Sequence, residues 1–135
     1  MRVTGIVTMQ CLKYMPKTVL VVDDYEDARG FMKLLLESYG YQVVEANDGA
    51  QAIDSFKLFH PDLILMDISM PLMDGLTATR TIRNCNDGEK VPIIAVSAFG
   101  KNYLKRAMEA GCNYLIDKPI DFEMLEPVIN RYLMH

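Results

Sequence analysis

The segment LILMDISMPLMDG, Leu63 to Gly75, decides the fold. Its first four residues are apolar without a break, which predicts a strand covered on both faces that runs straight into Asp67. Pro71 and Asp74-Gly75 mark a loop, and Leu76 to Asn84 then reads as a helix. Toward the N-terminus, Thr18 to Val22 (TVLVV) is a β-branched strand, followed by a helix over Glu26 to Tyr39 with Ala28, Phe31 and Leu35 at inward spacing and Gly40 at its end. Gln42 to Ala46 is the next strand; Asn47 or Asp48 can cap a helix carrying Ala50, Ile53 and Phe56, which Pro61 ends. Toward the C-terminus, the polar turn Asn86 to Lys90 leads into the strand Ile93 to Val96, and Lys101 to Ala110 is a helix ended by Gly111. Tyr114 to Ile116 is the last strand, Lys118-Pro119 breaks it, and Asp121 caps a helix with the stripe Phe122, Leu125, Val128, Ile129, Tyr132 and Leu133. Five strands alternating with five helices predict an α/β fold: a (βα)5 doubly wound, five-stranded parallel sheet.

The composition agrees with that size. A chain of 135 residues, 50% hydrophobic and 24% charged, suits one compact domain with one core. Residues 1–15 hold Arg2 and Lys13 and no acid, and they lack the cleavage site of a signal peptide, so they read as an N-terminal extension, with Met15 a candidate start. The remaining residues, 16–135, carry 12 Lys+Arg against 18 Asp+Glu, a net charge of -6. So acidic a domain is not expected to bind nucleic acid or anionic lipid directly. Cys11, Cys85 and Cys112 are widely spaced with no CxxC, which predicts reduced thiols in a cytoplasmic protein. No apolar run approaches the ~20 residues of a membrane span. The ten Met are read as core filling.

In doubly wound sheets ligands sit beyond the carboxyl ends of the strands. Here those ends carry Asp23-Asp24, Asp67, Ser97-Ala98 and Asp117-Lys118-Pro119. Three carboxylates brought together repel one another, and a divalent ion resolves the conflict. Oxygen donors without His or Cys point to a hard ion such as Mg²⁺, which keeps open positions for phosphoryl oxygens. Asp67, ending the third strand, is best placed as a nucleophile forming an aspartyl-phosphate. Lys118 supplies fixed positive charge and Ser97 a hydroxyl hydrogen bond to the transferred group.

The segments VLVVDD (Val19 to Asp24), LILMDISMPLMDG, VSA (Val96 to Ala98) and DKP (Asp117 to Pro119) together resemble the receiver domain of two-component response regulators, with a CheY-like fold. The resemblance covers about Lys17 to the C-terminus. It implies that Asp67 is the phosphoacceptor, Asp24 a direct Mg²⁺ ligand, Asp23 a support for the metal through water, and the backbone carbonyl of Ser69 a further ligand. It implies that Ser97 is the switch hydroxyl and Lys118 the phosphoryl-stabilising lysine, with a commonly cis bond before Pro119 and a turn at Asp74-Gly75. A histidine kinase or histidine phosphotransfer protein would be the donor and a downstream protein the target, for a stand-alone, non-enzymatic signalling domain that assists its own phosphotransfer and dephosphorylation.

One position departs from the family. A Tyr or Phe usually lies three residues before the lysine; here Leu115 stands there and Tyr114 is one residue earlier. Strand side chains alternate faces, so Tyr114 cannot take the place of Leu115 without a bulge. The expectation is that signalling runs through the Ser97 loop and the surface from Lys101 to Ala110, without aromatic rotamer exchange. His60 and His135 read as solvated surface residues rather than phosphodonors, and Lys101, Lys105 and Arg106 as a solvated face. Two other functions compete. An aspartyl-phosphate phosphohydrolase would need a second acid at the position of Ser69, and a flavodoxin-like carrier would need a Gly- and hydroxyl-rich loop where Asp23-Asp24-Tyr25-Glu26-Asp27 stands.

Overall fold

A computed structural model describes residues 15–70 and 74–134. The extension up to residue 14 with Cys11, the loop residue Pro71 and the terminal His135 lie outside the described residues.

The strands are β1 (Thr18–Val22), β2 (Gln42–Ala46), β3 (Leu63–Asp67), β4 (Ile93–Ser97) and β5 (Tyr114–Asp117). The helices are α1 (Glu26–Ser38), α2 (Gly49–Phe59), α3 (Gly75–Arg83), α4 (Leu104–Ala110) and α5 (Phe122–Leu133). All strand pairs are parallel, in the order β2-β1-β3-β4-β5, so the order reverses between β1 and β3. β3 and β4 are buried along their whole length, as their unbroken apolar runs require.

Two cores cover the sheet. Met32 and Leu36 of α1 and Leu125, Val128, Ile129 and Leu133 of α5 pack on one face, against Val19, Val21, Leu63, Leu65 and Ile94. Helices α2, α3 and α4 cover the other face through residues such as Ile53, Phe56, Ala78, Ile82 and Ala107, against Leu20, Val22, Ile64, Met66 and Ala95. Three carboxylates act as caps: Asp48 accepts from Gln51 N–H at 2.8 Å, Asp74 from Thr77 N–H at 2.7 Å and Asp121 from Glu123 N–H at 3.0 Å.

Several helix faces differ from the periodicity. In α1 the core residues are Met32 and Leu36, whereas Ala28 is exposed and Phe31 is 54% exposed. The helix leaves β1 at the carboxyl edge of the sheet, so its early turns overhang the strand ends and only later turns reach the sheet. In α2 Ala52 replaces Ala50 as the buried alanine. The single helix expected from Lys101 is a 3₁₀ turn at Gly100–Tyr103 running into a shorter α4. No side chain caps either segment, which leaves the tighter turn to satisfy the backbone.

Candidate functional site

Register places the site. Met66 lies opposite Val22 and Asp67 opposite Val96, so Asp23, Asp67 and Ser97 follow one another along the carboxyl edge, and Ser97 pairs with Asp117 just before Lys118. Val21, Leu65 and Ile116 face the α1/α5 side, and period-two alternation continues that side to Asp23, Asp67 and Lys118. Ser97 continues instead the side of Ala95, which faces α2, α3 and α4.

One oxygen from each of Asp23, Asp24 and Asp67 lies within 4.8 Å of the others. Asp67 is 4% exposed; its Oδ1 accepts from Ser69 N–H at 2.8 Å and its Oδ2 from Lys118 Nζ at 3.1 Å. Asp23 is half-buried and accepts from Tyr25 N–H at 2.9 Å, whereas Asp24 is exposed. Burial pushes the Asp23 carboxyl above its ordinary value, and Asp67 and Asp24 push the same way, against the Tyr25 N–H and the Lys118 charge. This oxygen-only donor set, with like charges that Lys118 offsets only in part, fits a hard divalent cation.

Ser97 is fully buried, and its Oγ accepts from Phe99 N–H at 2.9 Å. Ser69 Oγ accepts from Ala98 N–H at 3.4 Å, tying the β3 and β4 loops together. The Lys118–Pro119 bond is cis. A cleft of about 300 Å³ opens over Asp23, Asp67 and Lys118, walled by Phe31, Met32 and Phe122. Phe31 and Phe122 meet edge to face at 5.2 Å.

β5 keeps an unbroken register with β4, so Tyr114 and Leu115 stay on opposite faces. Tyr114 packs on the α1/α5 side beneath Arg131, 5.8 Å from the ring centre; Leu115 packs on the α2/α3/α4 side together with Tyr103. His60 is exposed at the end of α2. Lys101 and Lys105 are exposed as expected, but Arg106 also lies over the Tyr103 ring, a contact the charge pattern did not reveal.

Arg29 was missed from the sequence. Its Nη1 donates to the Asp23 carbonyl at 2.8 Å and its Nε to Glu45 at 3.2 Å, which fixes the chain where it leaves β1. Its partner at the site is a backbone carbonyl, which leaves no side-chain signal, and its side-chain partner Glu45 lies on β2 at no helical or strand spacing from it; only the six-residue spacing from Asp23 into the first turns of α1 hints at the contact.

Comparison with known proteins agrees with this geometry. The family model "Response regulator receiver domain" matches residues 19–130. The polar-differentiation response regulator DivK of Brucella anthropi is 36% identical over 120 residues, covering 88% of this chain and 98% of that protein. Among solved structures, the receiver domain of a Pseudomonas aeruginosa PAO1 sensor histidine kinase, with a magnesium ion coordinated in its active-site cleft, is 33% identical at TM-score 0.82, covering 89% of this chain and 99% of that one. The receiver domain of Saccharomyces cerevisiae Ssk1, in complex with the histidine phosphotransfer protein Ypd1, gives 25% identity and TM-score 0.80, covering 88% and 90%.

Proposed function

Because the chain belongs to the response regulator receiver domain family of two-component signalling, we propose that Asp67 accepts a phosphoryl group from the phosphohistidine of a histidine kinase or histidine phosphotransfer protein, and that the domain then alters a protein-binding surface. The observation that carries this reading is the state of Asp67: a carboxylate 4% exposed, held by Ser69 N–H and Lys118 at the base of a cleft.

In the transfer, a carboxylate oxygen of Asp67 bonds to phosphorus as the P–N bond to the donor imidazole breaks, and the ring nitrogen takes up a proton. The Ser69 N–H orients the carboxylate. Lys118, already 3.1 Å from Oδ2, follows the charge onto the phosphoryl oxygens, and the Ser97 hydroxyl donates to one of them. Asp24 and Asp67 are assigned as direct Mg²⁺ ligands, with the Ser69 carbonyl beside them and Asp23 acting through water. When bound, Mg²⁺ offsets the charge of the carboxylates and of the arriving phosphoryl group.

The donor docks over the cleft, where Phe31 and Phe122, 54% and 40% exposed, offer an apolar rim. The Ypd1 complex of the Ssk1 receiver supports a histidine phosphotransfer protein as one such donor. The output is a protein target, without direct contact to nucleic acid or membrane; no described helix is long and apolar enough to cross a membrane. A cytoplasmic location suits the free thiols of Cys85 and Cys112. Family membership favours this signalling role over the phosphohydrolase and the flavodoxin-like carrier.

Incubation with Mg²⁺ and acetyl phosphate, read by intact mass, tests the reading. The unmutated protein is expected to gain one phosphoryl group and Asp67→Asn none. Lys118→Ala is expected to slow the gain by about a hundredfold or more. An unmutated protein that gains no mass sinks the proposal.

A further inference from the structure

The β4–α4 connection carries a series of contacts that phosphoryl transfer does not use. It starts at Ser97, whose Oγ holds the Phe99 N–H at 2.9 Å. The Phe99 ring stacks on Tyr103, with centroids 4.9 Å apart and planes at 30°. The guanidinium of Arg106 lies 5.1 Å from the centre of the same Tyr103 ring. The buried hydroxyl is thereby joined through two rings to a cation on the exposed face of α4.

The series lies on one side of the sheet. Tyr103 packs against the core under α2, α3 and α4, as Leu115 does, and Ser97 continues that face from Ala95. Tyr114 is on the opposite face, so β5 brings no ring to this side. Between the two rings in sequence stands Gly100, with φ +61 in the left-handed region, where a side chain is disfavoured. Phe99 is 50% exposed, so its ring can leave the stack without opening the core.

We propose that Phe99 and Tyr103 form the aromatic relay of this chain, in place of a ring at position 115, and carry the state of Ser97 to Arg106 and the surface of α4. The relay rests on the assignment of Asp67 as phosphoacceptor and Ser97 as its hydroxyl partner. When the Ser97 hydroxyl turns to donate to a phosphoryl oxygen on Asp67, it leaves the position from which Oγ accepts the Phe99 N–H. The new hydrogen bond is charge-assisted, whereas the one lost is between neutral groups, so the exchange favours release. The Phe99 segment then moves about Gly100, the stack opens, and Arg106 loses the covered ring it lies on. Each contact in the series is individually weak, which lets one strong hydrogen bond at Ser97 overturn them together.

The chain contains no Trp, so Tyr103→Trp introduces a single indole at the centre of the relay. Its emission is followed during incubation with Mg²⁺ and acetyl phosphate while intact mass records phosphoryl gain in the same sample. Tyr39→Trp, at the far end of α1, serves as the remote reporter. The expected result is a red shift at position 103 that grows with phosphoryl gain, is absent from the remote reporter, and survives Leu115→Ala. Adding Phe99→Leu should abolish the shift while leaving phosphoryl gain as before. A full mass gain with an unchanged or blue-shifted emission at position 103, or a shift that persists in Phe99→Leu, overturns the relay. Absence of any mass gain overturns instead the assignment of Asp67 on which the relay stands.

Discussion

With Mg²⁺ held at Asp23, Asp24 and Asp67 as proposed, the like charges there should make the folded state respond to divalent cations. A ligand that binds only the folded protein adds about 2.7 kcal/mol to unfolding at a hundredfold excess over its Kd. Urea unfolding of the unmutated protein should show such an increment on passing from EDTA to saturating Mg²⁺. Asp24→Asn should lose the increment, yet be no less stable in EDTA, because one of three mutually repelling carboxylates is gone. An undiminished increment in the variant would remove Asp24 from the ligand set. The acids, Ser97 and Lys118 were legible because a strand that ends in a polar residue delivers it to the sheet edge, and alternation then fixes its side. Arg29 was not legible, since a side chain that serves a backbone carbonyl leaves no pattern. Phe99 and Tyr103 were hidden for a related reason: their stacking depends on the bend at Gly100, not on helical or strand spacing.

At the scale of elements, β3 and α3 meet at Gly75. A Cβ there would lie 2.3 Å from the Asp67 carbonyl oxygen and 2.8 Å from Ile68 Cα, so the helix start packs directly on the backbone that presents Asp67. Gly75→Ala is therefore expected to lower stability by about 1–3 kcal/mol, read as a reduced urea midpoint. It should also slow phosphoryl uptake through displacement of Asp67; an unchanged midpoint would mean that α3 shifts freely. The far end of α3 is held by Arg83, which donates to the carbonyls of Gly88, Val91 and Gly111 and to Asn113, and so ties together the loops flanking β4. Strands were read well because a buried parallel strand is an unbroken apolar run. Each of β3, β4 and β5 extends one residue further, since Asp67, Ser97 and Asp117 keep strand geometry while carrying polar groups. Helix faces were read less well: Phe31 and Phe122 repeat at core spacing but lie beyond the sheet edge, where they wall the cleft.

For the whole molecule, strand order does most of the positioning. Alternating β and α segments are enough to infer a parallel sheet with helices on both sides, and the reversal of order between β1 and β3 leaves a crevice where their two loops diverge. Asp23 and Asp24 flank it from one side and Asp67 from the other, which is why residues more than forty positions apart in sequence form one cluster. Family membership supports the role proposed for the cluster, in which a single carboxylate, Asp67, takes the phosphoryl group. Borohydride reduces an aspartyl-phosphate to homoserine, so the phosphorylated protein can be trapped, digested and its modified position read by peptide mass spectrometry. Homoserine is expected at position 67 and at no other position, dependent on both Mg²⁺ and the phosphodonor. Homoserine at position 23 or 24, or a phosphoryl group retained on His60 with Asp67 unmodified, would contradict it.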